Sequence, residues 1–123
     1  MTASTPYTSK IQLLRAIPGW LLSVLLAFIF FSAGSMKLMS RPNMVQEFAQ
    51  VGLGQWFRYF TGILELAGAI AILIPPIAKW GAMLLATVMS GTIVAHVTAL
   101  HSPPTLPAIL LVMVFAATWM RRL

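Results

Sequence analysis

The amino-acid sequence predicts an all-α membrane protein, an antiparallel bundle of four transmembrane helices with a short amphipathic interfacial helix between spans 1 and 2. Of its 123 residues, 59% are hydrophobic and 8% are charged, against roughly 25% charged residues in ordinary soluble domains. The mean hydropathy is +0.90. Apolar runs of membrane-spanning length alternate with short connections that contain proline. We therefore expect a single transmembrane domain over residues 1–123.

Four apolar runs predict the four spans, at about 18–38, 56–74, 81–100 and 105–121. The first run begins at Pro18, a residue suited to a first helical turn. Basic residues before it and small residues at 32–34 also fit a secretory signal peptide, but we expect this run to remain as a helix. The fourth run is the shortest, so it must include Thr105 and Arg121 or thin the bilayer locally.

The segment between the first two spans predicts a short helix at about 42–51. Its residues Met44, Phe48 and Val51 fall on one helical face, and Gly52 is placed as a helix stop. Such an amphipathic helix is expected to lie on the membrane surface. The other connections are short, so consecutive spans should be antiparallel neighbours.

Basic residues near the span ends predict the orientation. Five lie on one side and three on the other, which favours a cytoplasmic location for both termini. The larger group is Lys10, Arg15, Lys79, Arg121 and Arg122; the smaller is Lys37, Arg41 and Arg58. The net charge of +6 is scattered over span ends without a basic cluster, so we expect no nucleic-acid partner.

Glu65 is the most informative single residue. It stands nine positions after Trp56, hence about 13 Å into the second span, where an unpaired carboxylate is costly. Small residues lie three or four positions on either side of it, which predicts that it points into the bundle. Two interpretations are open: a general acid or proton relay, and an interhelical hydrogen bond that fixes the bundle.

Chain direction brings three other polar residues into one leaflet, above Glu65. Lys37 lies near the exit of the first span, Arg58 near the entrance of the second and His96 near the exit of the third. Each has a structural alternative. Lys37 and Arg58 could extend to the headgroups, and His96 could make a satisfied polar contact.

Metal and thiol chemistry find little support in the sequence. His96 and His101 are five positions apart, do not share a helical face, and His101 falls in a proline-containing loop, so we expect no metal site. The chain has no cysteine, which excludes a dithiol centre made by this chain alone. Without a phosphate loop or a serine nucleophile motif, the remaining candidate chemistry is acid–base.

Three stretches, 31–38, 62–69 and 81–96, resemble the DoxX-like family of small bacterial four-span membrane proteins. They contain Lys37, Glu65 and His96 in that order, and the resemblance runs from the first span to the fourth. It implies a multi-pass protein of the bacterial cytoplasmic (inner) membrane. Because the family is named after a subunit associated with a quinone-linked sulfur oxidoreductase, it also implies a redox association by analogy. No cofactor is demonstrable from the residues, and a quinone would fit.

These observations lead to the hypothesis of an intramembrane pocket for a small lipophilic molecule. Glu65 and His96 would be the acid–base pair, and Lys37 would stabilise developing negative charge. The expected ligand contacts are Arg58 at the pocket mouth, Phe30, Phe57 and Tyr59 in the walls, and His101. An isomerase, a hydrolase or a quinone-linked oxidoreductase component would fit this description.

Two other functions stay open on the sequence alone. The first is a non-catalytic accessory subunit that docks into a larger membrane complex. The second is a small proton-coupled exporter that works as a homo-oligomer, although no polar stripe on the second span is long enough for a pore.

Overall fold

A computed structural model describes residues 6–123, and the side chains of residues 10, 11 and 13–123. Over that range the chain contains helices and no strands, so the predicted all-α fold is confirmed. A 3₁₀ turn at Pro75–Ile77 precedes the fourth helix. The five helices are α1 (Pro6–Leu38), α2 (Pro42–Val51), α3 (Gln55–Ala71), α4 (Ala78–Thr98) and α5 (Thr105–Arg121).

Four of the helices form a ring. Helix α1 packs against α3 and α5, and α4 packs against the same two neighbours. Helices α1 and α3 are antiparallel, because Gly34 lies against Gly62 near one end and Arg121 joins Ser23 to Ile72 near the other. The short helix α2 packs across α3 and α1.

The ring has two ends of different character. We call the end formed by residues 29–65 and 87–110 the cavity end, and the end formed by residues 10–26, 68–85 and 113–123 the closed end. The core is made of apolar side chains that are almost completely inaccessible. It includes Leu26, Phe30, Ile72, Leu85 and Val114.

Helix length bears directly on the number of spans. The segments Leu13–Leu38 and Pro75–Thr98 are long and apolar enough to cross a bilayer. Helix α5 is apolar but shorter, and α3 also has 17 residues, which is about 26 Å at 1.5 Å per residue against a hydrocarbon core of about 30 Å. For α3 and α5, membrane crossing therefore stays a prediction from the sequence.

Helix α1 begins earlier than the sequence pattern indicates. The apolar run starts at Pro18, but the helix starts at Pro6 and passes through this proline. Proline in a helix interior removes one backbone hydrogen bond. Cation–π contacts with α5 hold the chain on both sides of it: the Arg15 guanidinium carbon is 4.0 Å from the Trp119 ring centroid, and that of Arg121 is 3.8 Å from Trp20.

Helix α2 has the bounds that its sequence predicts. It starts at Pro42, where a missing N–H costs nothing, and ends at Gly52, whose φ of 83° lies in the left-handed region. The Gly52 N–H donates to the carbonyl oxygen of Phe48. Phe48 is the buried anchor of the helix. The location of α2 at a membrane surface stays a prediction.

Candidate functional site

The cavity end is built around a close crossing of α1 and α3. A Cβ atom at Gly34 would lie 2.8 Å from the Gly62 carbonyl oxygen, and one at Gly62 would lie 3.0 Å from the Gly34 carbonyl oxygen. Such distances leave no room for a side chain at either position. The two glycines therefore allow the backbones to approach in the way that small residues permit in membrane helices.

This crossing brings Lys37 and Glu65 together. Each residue follows its glycine by three positions, and helical side chains lean toward the helix N-terminus. In antiparallel helices the two side chains therefore lean toward each other across the crossing. The Lys37 Nζ lies 3.0 Å from Oε1 and 3.1 Å from Oε2 of Glu65. The Lys37 side chain is 12% exposed and that of Glu65 is 1% exposed, so Glu65 points inward as the small-residue pattern predicts.

The ion pair faces a cavity of about 510 Å³, a size within the usual range for small-molecule sites. Residues from all five helices line it. Most of the wall is apolar, and four phenylalanines contribute: Phe30, Phe48, Phe57 and Phe60. The polar groups are few, and they are Lys37, Glu47, Thr61, Glu65, Thr87, Thr92 and His96.

His96 reaches the cavity from α4, opposite the ion pair. Its Nδ1 lies 2.9 Å from the Thr92 carbonyl oxygen, one turn earlier. A carbonyl only accepts, so Nδ1 donates this hydrogen bond and Nε2 is the ring nitrogen that takes no part in it. Nε2 is thus the ring atom available to a ligand. Lys37 and His96, which the sequence assigns to one leaflet, and Glu65, which it places deeper, line one cavity.

Arg58 does not line this cavity. It is buried, its Nε donates to Gln55 Oε1 at 2.8 Å and its Nη1 donates to the Lys37 carbonyl oxygen. The guanidinium also stacks on Tyr59, with its carbon 4.2 Å from the ring centroid. By donating to a carbonyl in the last turn of α1, Arg58 adds to the single 3.4 Å hydrogen bond that this oxygen accepts from the Ser40 N–H. The structure thus places Arg58 behind Lys37 rather than at a pocket mouth.

The other predicted ligand contacts divide into two groups. Phe30 and Phe57 line the cavity, as the sequence suggests. Tyr59 is 43% exposed and its hydroxyl lies 3.3 Å from Ser40 Oγ, on the outside of the bundle. His101 is exposed in the connection before α5, with a positive φ of 49°. Neither Tyr59 nor His101 borders the cavity.

Helix α2 covers one side of the cavity. The Phe48 ring packs against Phe57 of α3, with centroids 6.0 Å apart. The Gln55 side chain donates to the Val45 carbonyl oxygen at 3.1 Å, while its amide oxygen accepts from Arg58. One polar chain therefore joins α2, α3 and the end of α1, and it fixes α2 over the opening.

The cavity wall also includes residues that the sequence does not predict as part of the site, among them Phe48, Phe60 and the acidic residue Glu47. Glu47 lines the cavity from α2, so both acidic residues of the chain face the same space. A signal for this exists in the sequence. Glu47 stands three positions after Met44 and four before Val51, which puts it on the apolar face of α2 rather than on the water-facing side.

Comparison with known proteins agrees with the resemblance noted from the sequence. No curated protein and no solved structure matches the chain significantly. The model of the DoxX-like family matches residues 21–118. The matched segment contains the α1–α3 crossing, the Lys37–Glu65 pair and His96. The chain belongs to the DoxX-like family.

Proposed function

We propose that this DoxX-like protein spans the bilayer four times and binds a small lipophilic molecule in the cavity between its helices. Binding, rather than a specific reaction, is the function that the geometry supports best. Glu65 is engaged with Lys37, so among the described residues that line the cavity the acid–base groups outside this pair are His96 Nε2 and the Glu47 carboxylate.

The outer surface supports the membrane location. Large apolar side chains project outward from all four ring helices, including Phe28 at 71%, Ile63 at 56%, Met83 at 52% and Val112 at 65% exposure. A soluble protein rarely exposes so extensive an apolar surface, whereas a membrane protein turns it toward lipid. Helices α3 and α5 are shorter than the hydrocarbon core is thick, so they would cross it without tilting, with local thinning of the bilayer making up the difference.

The observation that carries the binding proposal is a charge pair at the wall of an apolar cavity. A buried ion pair alone fits a structural role, because it can lock two helices. Here both partners also border a space of about 510 Å³ together with His96. Apolar walls with a few converging polar groups are typical of small-molecule sites. We infer a ligand that is mostly apolar and carries one polar group toward Lys37, Glu65 or His96.

The distribution of basic residues supports a location of both termini in the cytoplasm, with the closed end toward it. The chain has no cysteine, so single cysteines can test this cleanly. We expect a cysteine in place of Ser102, at the cavity end, to react with an impermeant maleimide added to intact cells. A cysteine in place of Lys10 should react only after the membrane is opened. The reverse pattern would contradict the orientation.

A neutral fluorescent lipophile, N-phenyl-1-naphthylamine, tests binding in detergent. We expect saturable binding to the purified wild-type protein and a loss of about tenfold in affinity for His96→Leu. The matched control is His101→Leu, which removes the same group from a position outside the cavity and should bind like wild type. Equal affinity for all three proteins would contradict the proposal.

Native mass spectrometry of the purified protein, followed by organic extraction, identifies any molecule retained from the cell. A retained lipophile, such as a quinone, that is lost in the His96→Leu protein would name the natural ligand. A stoichiometric complex with a larger subunit, combined with no saturable binding of the probe, would instead support the accessory-subunit hypothesis.

A further inference from the structure

The negative charge of this protein is concentrated at one place. The chain has eight lysines and arginines but only two acidic residues, and both of these, Glu47 and Glu65, line the cavity. A random scatter of two carboxylates over five helices would seldom have this outcome. Seven of the eight lysines and arginines, by contrast, lie outside the cavity lining.

Lys37 does not offset both carboxylates. Its ammonium nitrogen lies within 3.1 Å of both Glu65 oxygens, so this lysine is committed to one partner on the facing helix. The two charges form a neutral pair. A ligand that enters the cavity meets this pair as a dipole rather than as a net positive charge.

Glu47 is left without such a partner. It is half-buried on the cavity side of α2, and within the part of the chain whose side chains are described, its carboxylate makes no hydrogen bond or salt bridge. The Nδ1–H of His96 is committed to the Thr92 carbonyl oxygen. Of the two carboxylates that line the cavity, Glu65 is therefore the one paired with a cation of the wall, and Glu47 is the one left for a ligand.

The nearby arginines do not line the cavity. Arg58 is buried behind Lys37 and is committed to the Lys37 and Gln55 oxygens, and Arg41 is exposed in the connection between α1 and α2. Neither arginine borders the space that a ligand would occupy, whereas Glu47 does. The electrostatic interaction of a bound ligand is therefore stronger with the charged groups that line the cavity than with Arg58 and Arg41.

Four phenylalanines complete the wall: Phe30, Phe48, Phe57 and Phe60. The faces of aromatic rings attract cations, and recognition of quaternary ammonium groups commonly uses aromatic walls. An unpaired carboxylate beside aromatic rings in an apolar cavity is the environment that a bulky organic cation requires.

We propose that the cavity selects lipophilic cations, hydrophobic amines or quaternary onium ions, through Glu47 and the phenylalanine wall. This inference rests on the proposed function, because it requires that the cavity bind lipophilic molecules at all. It names the charge class of the ligand and assigns the selecting group to α2, away from the Lys37–Glu65 pair.

A pair of ions with similar shape and opposite charge tests the proposal. In this assay, tetraphenylphosphonium and tetraphenylborate are each titrated as competitors of N-phenyl-1-naphthylamine on the detergent-purified protein. The readout is the change in the affinity for each ion that Glu47→Gln causes. We expect this variant to weaken tetraphenylphosphonium about tenfold, a clearly larger loss than for the neutral probe. Tetraphenylborate should bind as tightly as before or more tightly.

Moving the carboxylate provides the matched control. Gln50 is exposed on α2 and does not line the cavity, so the Glu47→Gln/Gln50→Glu protein keeps the net charge of the wild type. We expect it to lose the phosphonium as Glu47→Gln does. Recovery of phosphonium binding in the double variant would overturn the proposal, since net charge rather than cavity charge would then decide.

The outcomes separate this inference from the proposed function. Saturable binding of the neutral probe, together with equal changes for the two ions in Glu47→Gln, would overturn the cation preference and leave the lipophile cavity standing. No saturable binding of the neutral probe to the wild type would overturn both. Circular dichroism melts of each variant establish that the fold is retained.

Discussion

At each end of the bundle, a buried or partly buried arginine donates to a backbone carbonyl of a neighbouring helix or of the residue that follows it. At the cavity end Arg58 donates to the carbonyl oxygen of Lys37 in the last turn of α1. At the closed end Arg121 donates to the carbonyl oxygen of Ile72, just after α3, at 2.6 Å. Each guanidinium also lies over an aromatic ring. Both arginines therefore tie a helix end to a neighbouring helix, which is a structural role.

What differs is the space between the helices. At the closed end a Cβ on Gly19 would lie 2.8 Å from Met120 Cβ, so α1 and α5 are in contact. At the cavity end a Cβ on Gly91 would meet nothing within 4 Å. Both carboxylates of the chain, Glu47 and Glu65, are also at this end. An arginine bound to a helix-end carbonyl is thus found at both ends and does not identify the candidate site. The features found at the cavity end are open space between the helices and charged side chains of both signs.

The largest effect is expected from breaking the ion pair. Glu65→Leu leaves the Lys37 ammonium without its partner, and we expect the free energy of unfolding to fall by about 3 kcal/mol. Lys37→Met/Glu65→Leu removes both charges and should recover most of the loss. Titration with sodium dodecyl sulfate in mixed micelles measures both. A double variant as unstable as the single one would contradict the neutral-pair account.

Alanine at one close-contact glycine from each end distinguishes the two ends. Gly34→Ala and Gly19→Ala each place a Cβ only 2.8 Å from an atom of the facing helix. Because the helices must then move apart, we expect each variant to lower the unfolding free energy by about 2 kcal/mol. Only Gly34→Ala should also weaken the lipophilic probe, because it pushes Lys37 away from Glu65. The control is Gly91→Ala, which has room for its methyl group and should be neutral or slightly stabilising. If Gly34→Ala and Gly19→Ala lose probe binding equally, the claim that the probe binds at the cavity end is contradicted.

The two arginines should behave alike in stability. Arg58→Gln and Arg121→Gln each lose a charged hydrogen bond to a carbonyl, and we expect about 1.5 kcal/mol for each. Neither side chain lines the cavity, so the affinity for the neutral probe should stay within about twofold of the wild type. A tenfold loss of affinity in Arg58→Gln but not in Arg121→Gln would contradict this account, and would support the sequence-based prediction that Arg58 contacts the ligand.

The smallest effect is expected at Tyr59. Its hydroxyl contacts Ser40 on the exposed outer surface, so Tyr59→Phe should change stability by no more than about 0.5 kcal/mol. The affinity for the neutral probe should be unchanged, as equilibrium titration can check. A clear loss of binding would place Tyr59 in the cavity wall after all.

The sequence predicts the local features of this molecule well. Helix α2 ends at Gly52 because of its left-handed conformation, and Glu65 points inward because small residues surround it on one helical face. The approach of Lys37, Glu65 and His96 follows from chain direction in an antiparallel bundle. Each of these inferences needs only periodicity, residue size or helix order.

Features that depend on contacts between helices escaped prediction. Arg58 turns away from the cavity because Gln55 and a carbonyl on α1 hold it, and the second of these partners comes from a crossing that sequence spacing does not locate. Glu47 belongs to the helix that the sequence predicts at the membrane surface, and its spacing from Met44 and Val51 places it on the apolar face of that helix. How α2 packs against α3 decides that this face covers a cavity.

Photolabelling with a neutral aryl diazirine tests the central claim, that the cavity binds a lipophilic molecule, most directly. We expect adducts on cavity residues such as Phe48 and Leu110 that saturate with dose and disappear with excess N-phenyl-1-naphthylamine. Adducts on outward-facing residues such as Phe28 and Val112 should rise without saturation and resist competition. If labelling of Phe48 and Leu110 is absent or shows the same unsaturable dose dependence as Phe28, the cavity is not a binding site.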